Sequence, residues 1–317
     1  MSRFFIALAA VALLISTVLY VGASPERRYE TADCQFRMIY DYEPELEMGL
    51  VTLGGSRVRV STSARHFNTL IEDLHPGAVP VHNLSHSYYT LEKEYVLTRD
   101  LLEQHSVKTI LIMVEPRWND FGKADPDFLE IARLSDIPLT VKALWPENPL
   151  NAVRAGHKIL IQHLGIFDRV DDPHRETTDR DCDRLDYRLD IPALERADDA
   201  YAKASQSVLD WDVTRDDHAG FLRWMMAFRS LQEQTGTQVM FLLMTATSEP
   251  LPPKTFADQF LETTGMELIV LDTEIQAVLA EGGRRDASHL NAAGRAVFIP
   301  WLVPEVEAKC QRPDGCF

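Results

Sequence analysis

Val107-Lys108-Thr109-Ile110-Leu111-Ile112-Met113-Val114 is a continuous apolar run of the kind found in the middle of a parallel sheet covered on both faces. Upstream of it, Leu50-Val51-Thr52-Leu53 has the character of a short buried strand that ends in glycines, and Phe67, Leu70, Ile71 and Leu74 mark one face of a helix. Val79 to Leu84 is a second strand by pattern. A helix follows from about Thr90, whose hydroxyl can cap it, with Leu91, Tyr95 and Leu102 turned inward. Downstream, Phe221, Trp224, Met225, Phe228 and Leu231 give a helix, Val239 to Met244 a buried strand, and Phe256 to Leu261 another helix. Leu268-Ile269-Val270-Leu271 is the last strand, and Leu290, Ala293, Val297 and Trp301 recur at helical spacing.

Strands alternating with helices predict an α/β protein, specifically a three-layer α/β/α sandwich around a mainly parallel, five-stranded, flavodoxin-like sheet. The pattern breaks between about 137 and 214, where a helical stretch from Asn151 to Leu164 leads into the highly charged segment Arg169 to Asp190. This reads as a largely helical insertion whose charged stretch forms a solvated surface or a mobile cap. The expected organisation is therefore a leader at 1–23, a juxtamembrane segment at 24–48, and one domain at 49–317 that carries the insertion.

Bulk properties narrow the function. Of 317 residues, 45% are hydrophobic, enough for a sizeable core. With 48 acidic against 32 basic residues the formal charge is -16, which argues against a nucleic-acid partner. Phe4 to Ala23 is apolar and uncharged behind Arg3, long enough to span a bilayer. Val21-Gly22-Ala23 also suits cleavage, so an anchor and a signal peptide both stand. Either places the bulk of the chain outside the membrane, facing the periplasm or exterior. Cys34, Cys182, Cys310 and Cys316 allow three disulfide pairings in an oxidising compartment. No C-x-x-C and no phosphate-binding glycine motif occurs, so neither a metal nor a cofactor is expected. His82 and His86 have the spacing of a metal pair but straddle a strand end, which makes ligation the weaker reading.

Two short motifs carry chemistry. Gly54-Gly55-Ser56 follows the first strand, and Asp286-Ala287-Ser288-His289 lies between the last strand and the last helix. A hydroxyl nucleophile needs a base, and an imidazole held by a carboxylate three residues earlier supplies one. A second D-x-x-H at Asp171 to His174 sits in a charged stretch with no apolar period, so position favours Asp286 and His289. Asp286 and Ser288 have an alternative use as caps of the last helix, and Ser56 as a turn residue.

The order of motifs resembles the SGNH, or GDSL-like, hydrolase superfamily over roughly Gly49 to Val303. Leu53-Gly54-Gly55-Ser56-Arg57-Val58 is similar to the first block, in a variant seen in membrane-anchored members linked to acylation of cell-envelope polymers. His82-Asn83-Leu84-Ser85 resembles the second block, Arg117-Trp118-Asn119-Asp120 the third, and Asp286 to Asn291 the last. Gly55 replaces the aspartate of the first block, Tyr88 the glycine of the second, and Arg117 the glycine of the third. The resemblance implies Ser56 as nucleophile, His289 as base and Asp286 as its orienting carboxylate. It implies an oxyanion hole from Ser56, Tyr88 and Asn119, with Asn83, Arg57 and Asp120 on the substrate side.

The implied function is that of an extracytoplasmic ester hydrolase or O-acyltransferase, with acetyl as the expected group. It would act on an envelope polysaccharide or other acylated polymer, with a membrane-embedded acyltransferase as a further partner. The competing expectation is a catalytically silent module of the same fold that binds glycan or docks on such an acyltransferase.

Overall fold

The apolar run around Ile110 is a strand, Ser106–Val114, at the centre of a five-stranded sheet. The computed structural model describes residues 46–86, 90–114, 131–145, 148–163, 218–246, 251–286 and 288–317, with the single positions Ile39, Phe128, Trp211, Asp212 and Glu249. In chain order the elements are β1 (Glu47–Leu53), α1 (Ser56–Ser61), α2 (Ala64–Leu74), β2 (His82–Asn83), α3 (Leu91–Gln104) and β3 (Ser106–Val114). There follow α4 (Ile137–Leu144), α5 (Pro149–His163), α6 (Ala219–Thr235), β4 (Gln238–Leu243), α7 (Phe256–Thr264), β5 (Glu267–Val270), α8 (Thr273–Ala280) and α9 (Ala292–Ala308).

All neighbouring strands are parallel, in the order β2-β1-β3-β4-β5. Parallel neighbours cannot be joined by a tight turn, so helical crossovers must cover the sheet. They do so on both faces, and strand residues divide between two cores by alternation. Ile110, Ile112 and Val114 of β3 face one core, which includes Leu97 of α3 and Trp224 and Phe228 of α6. Leu111 and Met113 face the other, with Phe67 of α2, Leu279 of α8 and Phe298 of α9. The expected three-layer sandwich is thus the observed one. Its strand order reverses direction between β1 and β3, and ligands of open α/β sheets bind outside the strand carboxyl ends at such a point.

Three local expectations need correction. The strand expected at Val79 to Leu84 is only His82–Asn83. Pro80 has no N–H to give a ladder, and the Asn68 side chain takes both the N–H of Val81 (2.6 Å) and its carbonyl (2.9 Å). Thr90 stands at the N-cap of α3 but its hydroxyl makes no capping bond. Helix α8 intervenes between β5 and the Asp286 loop; Asp272 caps it by accepting from the N–H of Ile275 at 2.8 Å.

Of the insertion, α4 and α5 are described. They pack on each other and contribute Ala143, Leu144, Ala152 and Ile159 to the core shared with α3 and α6. Arg169 to Asp190, with the second D-x-x-H, lies outside the described residues, as do Phe4 to Ala23, Cys34 and Cys182. Among the described residues no helix is long and apolar enough to cross a membrane.

Cys310 and Cys316 form a disulfide across a sequence separation of 6, closing the turn that follows α9. Loop-closure entropy for so short a ring is worth about 2 kcal/mol. Replacing both cysteines with serine should therefore lower unfolding stability by about that amount, measured from the urea midpoint at unchanged slope.

Candidate functional site

The position of Ser56, the candidate nucleophile, is built by β1 and the turn after it. Gly54 has φ 143, in the region that suits only glycine, and a Cβ there would lie 2.7 Å from the Cβ of Met113. The chain can therefore leave the sheet edge-on to β3 and begin α1 at Ser56. Because Ser56 opens the helix, its N–H belongs to the first-turn donors that have no intrahelical acceptor.

The opposite half comes from the loop between α8 and α9. Its base is closed by Asn291 N–H to Gly283 O at 3.0 Å and Arg285 N–H to His289 O at 2.8 Å. Gly283 and Gly294 let this loop lie directly on the start of α9, since a Cβ on Gly294 would fall 1.9 Å from the carbonyl oxygen of Gly283. Asn291, not Asp286 or Ser288, caps α9, accepting from the N–H of Gly294 at 2.9 Å. Asp286 is thereby left for another use.

The two halves meet. His289 Nε2 lies 2.8 Å from Ser56 Oγ, and His289 Nδ1 lies 2.8 Å and 2.9 Å from the two carboxylate oxygens of Asp286. Asp286 Oδ1 also accepts from the N–H groups of Ser288 and His289, each at 2.9 Å, and from the Ser288 hydroxyl at 3.2 Å. Burial alone would push the Asp286 carboxyl upward, but these donors together outweigh it and hold it below its ordinary value. An ionised carboxylate can only accept, so Nδ1 carries a proton, and in the neutral imidazole Nε2 is then the acceptor for the hydroxyl of Ser56. The arrangement can thus remove a proton from Ser56 and stabilise the imidazolium that results. Asp286 and His289 keep 31% and 26% of their side-chain surface exposed, so the site is open to solvent on one side.

The depressed Asp286 fixes a pH prediction. A carboxyl whose folded pKa lies below its unfolded value contributes stability that is present above the ordinary 3.8 and is lost as pH falls through the folded value. Urea midpoints should decline below about pH 4, and the decline should be shallower in Asp286→Asn.

Other expected site residues fall elsewhere. Asn83 is occupied structurally: its amide donates to the carbonyls of Arg59 (3.2 Å) and Thr62 (2.7 Å) at the end of α1, and its oxygen accepts from Ser85 N–H at 3.0 Å. Arg57 is only 4% exposed and forms a two-pronged ion pair with Glu249, at 3.0 and 3.1 Å. The amide hydrogens of Asn83 and the guanidinium of Arg57 are thus engaged within the protein. Tyr88, Asn119 and Asp120 lie outside the described residues. His86 turns inward to Glu94, with Nε2 2.6 Å from its carboxylate and both side chains fully buried. Among the described residues no group of three or more potential metal ligands occurs.

Two buried or half-buried arginines on the elements that carry the site lie outside the motifs. Arg284 sits two residues before Asp286, and burial lowers its pKa to about 10, as does nearby Arg57, while Glu249 and Asp286 act in the opposite sense. Arg295 of α9 is buried and donates to Val60 O of α1 at 3.4 Å. No protein-family model matches the chain, and none of the curated proteins is significantly similar to it.

Proposed function

We propose that the chain is a serine acyl-ester hydrolase or O-acyltransferase of SGNH type. The observation that carries this reading is the unbroken contact from Ser56 Oγ through His289 to Asp286, at 2.8 Å on each side of the ring. Its position at the carboxyl end of β1, beside the reversal of strand order, supports it further.

In the proposed reaction Ser56 Oγ attacks the carbonyl carbon of an ester while His289 Nε2 takes its proton. The carbonyl oxygen becomes an oxyanion, to which the N–H of Ser56 can donate. The tetrahedral species collapses by expelling the alcohol, which receives the proton from His289, and leaves an acyl-serine. Water then gives hydrolysis, and an acceptor hydroxyl gives transfer; His289 deprotonates either one and returns the proton to Ser56. Tyr88 and Asn119 are proposed to complete the oxyanion hole on the family resemblance.

An O-acetylated envelope polysaccharide is the proposed substrate class, and the apolar run Phe4 to Ala23 is proposed to hold the protein at the membrane, facing the periplasm or exterior. The testing experiment treats the protein with a serine-reactive phosphonate and maps the adduct by peptide mass spectrometry. Labelling at Ser56 that depends on His289 is expected. Absence of labelling would overturn the catalytic proposal in favour of a silent glycan-binding or acyltransferase-docking module.

A further inference from the structure

Resting on that reading, we propose that Glu249 is a positioning residue that sets the register between the nucleophile turn and the acid–base loop. The two halves of the site are 233 residues apart in sequence. Both reach for the segment that immediately follows β4. Three consecutive carbonyls there are taken by side chains from three different places. Arg57, next to the nucleophile, donates to Met244 O at 3.0 Å. Arg284, in the loop of Asp286 and His289, donates to Thr245 O at 3.0 Å. Gln276 of α8 is 3.5 Å from Ala246 O and accepts from Arg284 at 3.0 Å.

Glu249 holds this arrangement from within. One carboxylate oxygen accepts from Arg57 Nη2 at 3.1 Å; the other accepts from Arg57 Nη1 at 3.0 Å and from the N–H of Ala246 at 2.6 Å. Glu249 N–H also returns to Ala246 O at 3.1 Å. The Glu249 side chain is 3% exposed and needs both carboxylate oxygens as acceptors, so it fixes the turn and Arg57 at the same time. A glutamine has one acceptor oxygen and one donor nitrogen, so it must turn its NH₂ toward either the guanidinium or the amide N–H. Either choice loosens the turn to which Arg57 and Arg284 are both attached. Misplacement of reacting groups by about 1 Å can cost about 100-fold in rate.

The test compares wild type, Glu249→Gln and the milder Gln276→Ala in the full chain. It measures phosphonate labelling at Ser56, kcat and KM on a small acetyl ester, and the ring-nitrogen NMR shifts of His289. Glu249→Gln should label about 10- to 100-fold slower, with the loss in kcat rather than KM, and His289 Nε2 should lose the shift of a hydrogen-bonded acceptor. Gln276→Ala should show the same changes at about 3- to 10-fold. Wild-type labelling rates and unchanged His289 shifts in folded Glu249→Gln or, should that variant not fold, in Gln276→Ala, would overturn the inference and leave the catalytic proposal intact. Failure of wild type to label would sink the catalytic proposal instead. The His289 shifts of the variants would still decide whether Glu249 sets the geometry.

Discussion

His289→Ala is expected to slow both ester turnover and phosphonate labelling at Ser56 by about 10⁴- to 10⁶-fold, the range seen when the base of such a unit is removed. The reason is visible in the bonding. A serine hydroxyl is a weak nucleophile at neutral pH, and the group in place to receive its proton is His289 Nε2, 2.8 Å away. The loss should appear in kcat and kcat/KM alike, because the proton moves only in the transition state. A drop of less than about tenfold would mean that another group activates Ser56, or that the serine is not the nucleophile.

Asp286→Asn should be nearly as damaging, by about 10⁴-fold, while leaving the loop in place. The side-chain oxygen of asparagine can still accept from the N–H groups of Ser288 and His289, which hold position 286 at 2.9 Å each. Toward His289 Nδ1, however, an amide NH₂ is a donor, and it favours the tautomer with the proton on Nε2. That tautomer cannot accept from Ser56. A variant that stays folded at neutral pH, somewhat less stable than wild type because it lacks the contribution of the ionised carboxylate, with collapsed kcat is the expected combination, and the same variant serves for the acid unfolding comparison. Retention of more than about a tenth of wild-type kcat would remove Asp286 from the proposed mechanism.

The parts of the site legible in the sequence are those encoded by near neighbours. Asp286, Ser288 and His289 lie within four positions, and their mutual bonds are local. Gly54 before Ser56 follows from the sharp exit out of a buried strand. What stayed hidden depends on distant partners. Arg57 looks like a solvent-side residue beside a nucleophile until β4 brings Glu249 under it, and nothing near position 249 announces a buried carboxylate. Asn83 looks like a ligand-facing amide in the second motif, yet the short β2 sets it against the last carbonyls of α1, where it is more useful as a tether. The sheet itself was easier, because Ile110 to Val114 and Val239 to Leu243 are apolar on both faces and only the middle of a covered parallel sheet accommodates that. Helix α8 is hard to read from sequence because its apolar residues do not keep to one face: Leu279 is buried while its neighbour Val278 is exposed.

The separation of 233 residues between Ser56 and His289 also places the site in time. At synthesis rates of about 5–20 residues per second, Ser56 would emerge about 10–50 s before His289, the base of the proposed mechanism. During that interval the nascent chain holds an ordinary alcohol, inert toward whatever esters surround it. On the proposed reading, reactivity would arrive as a single late event, when the segment carrying α9 docks onto α1 and α2, so that the order of synthesis itself acts as a safeguard.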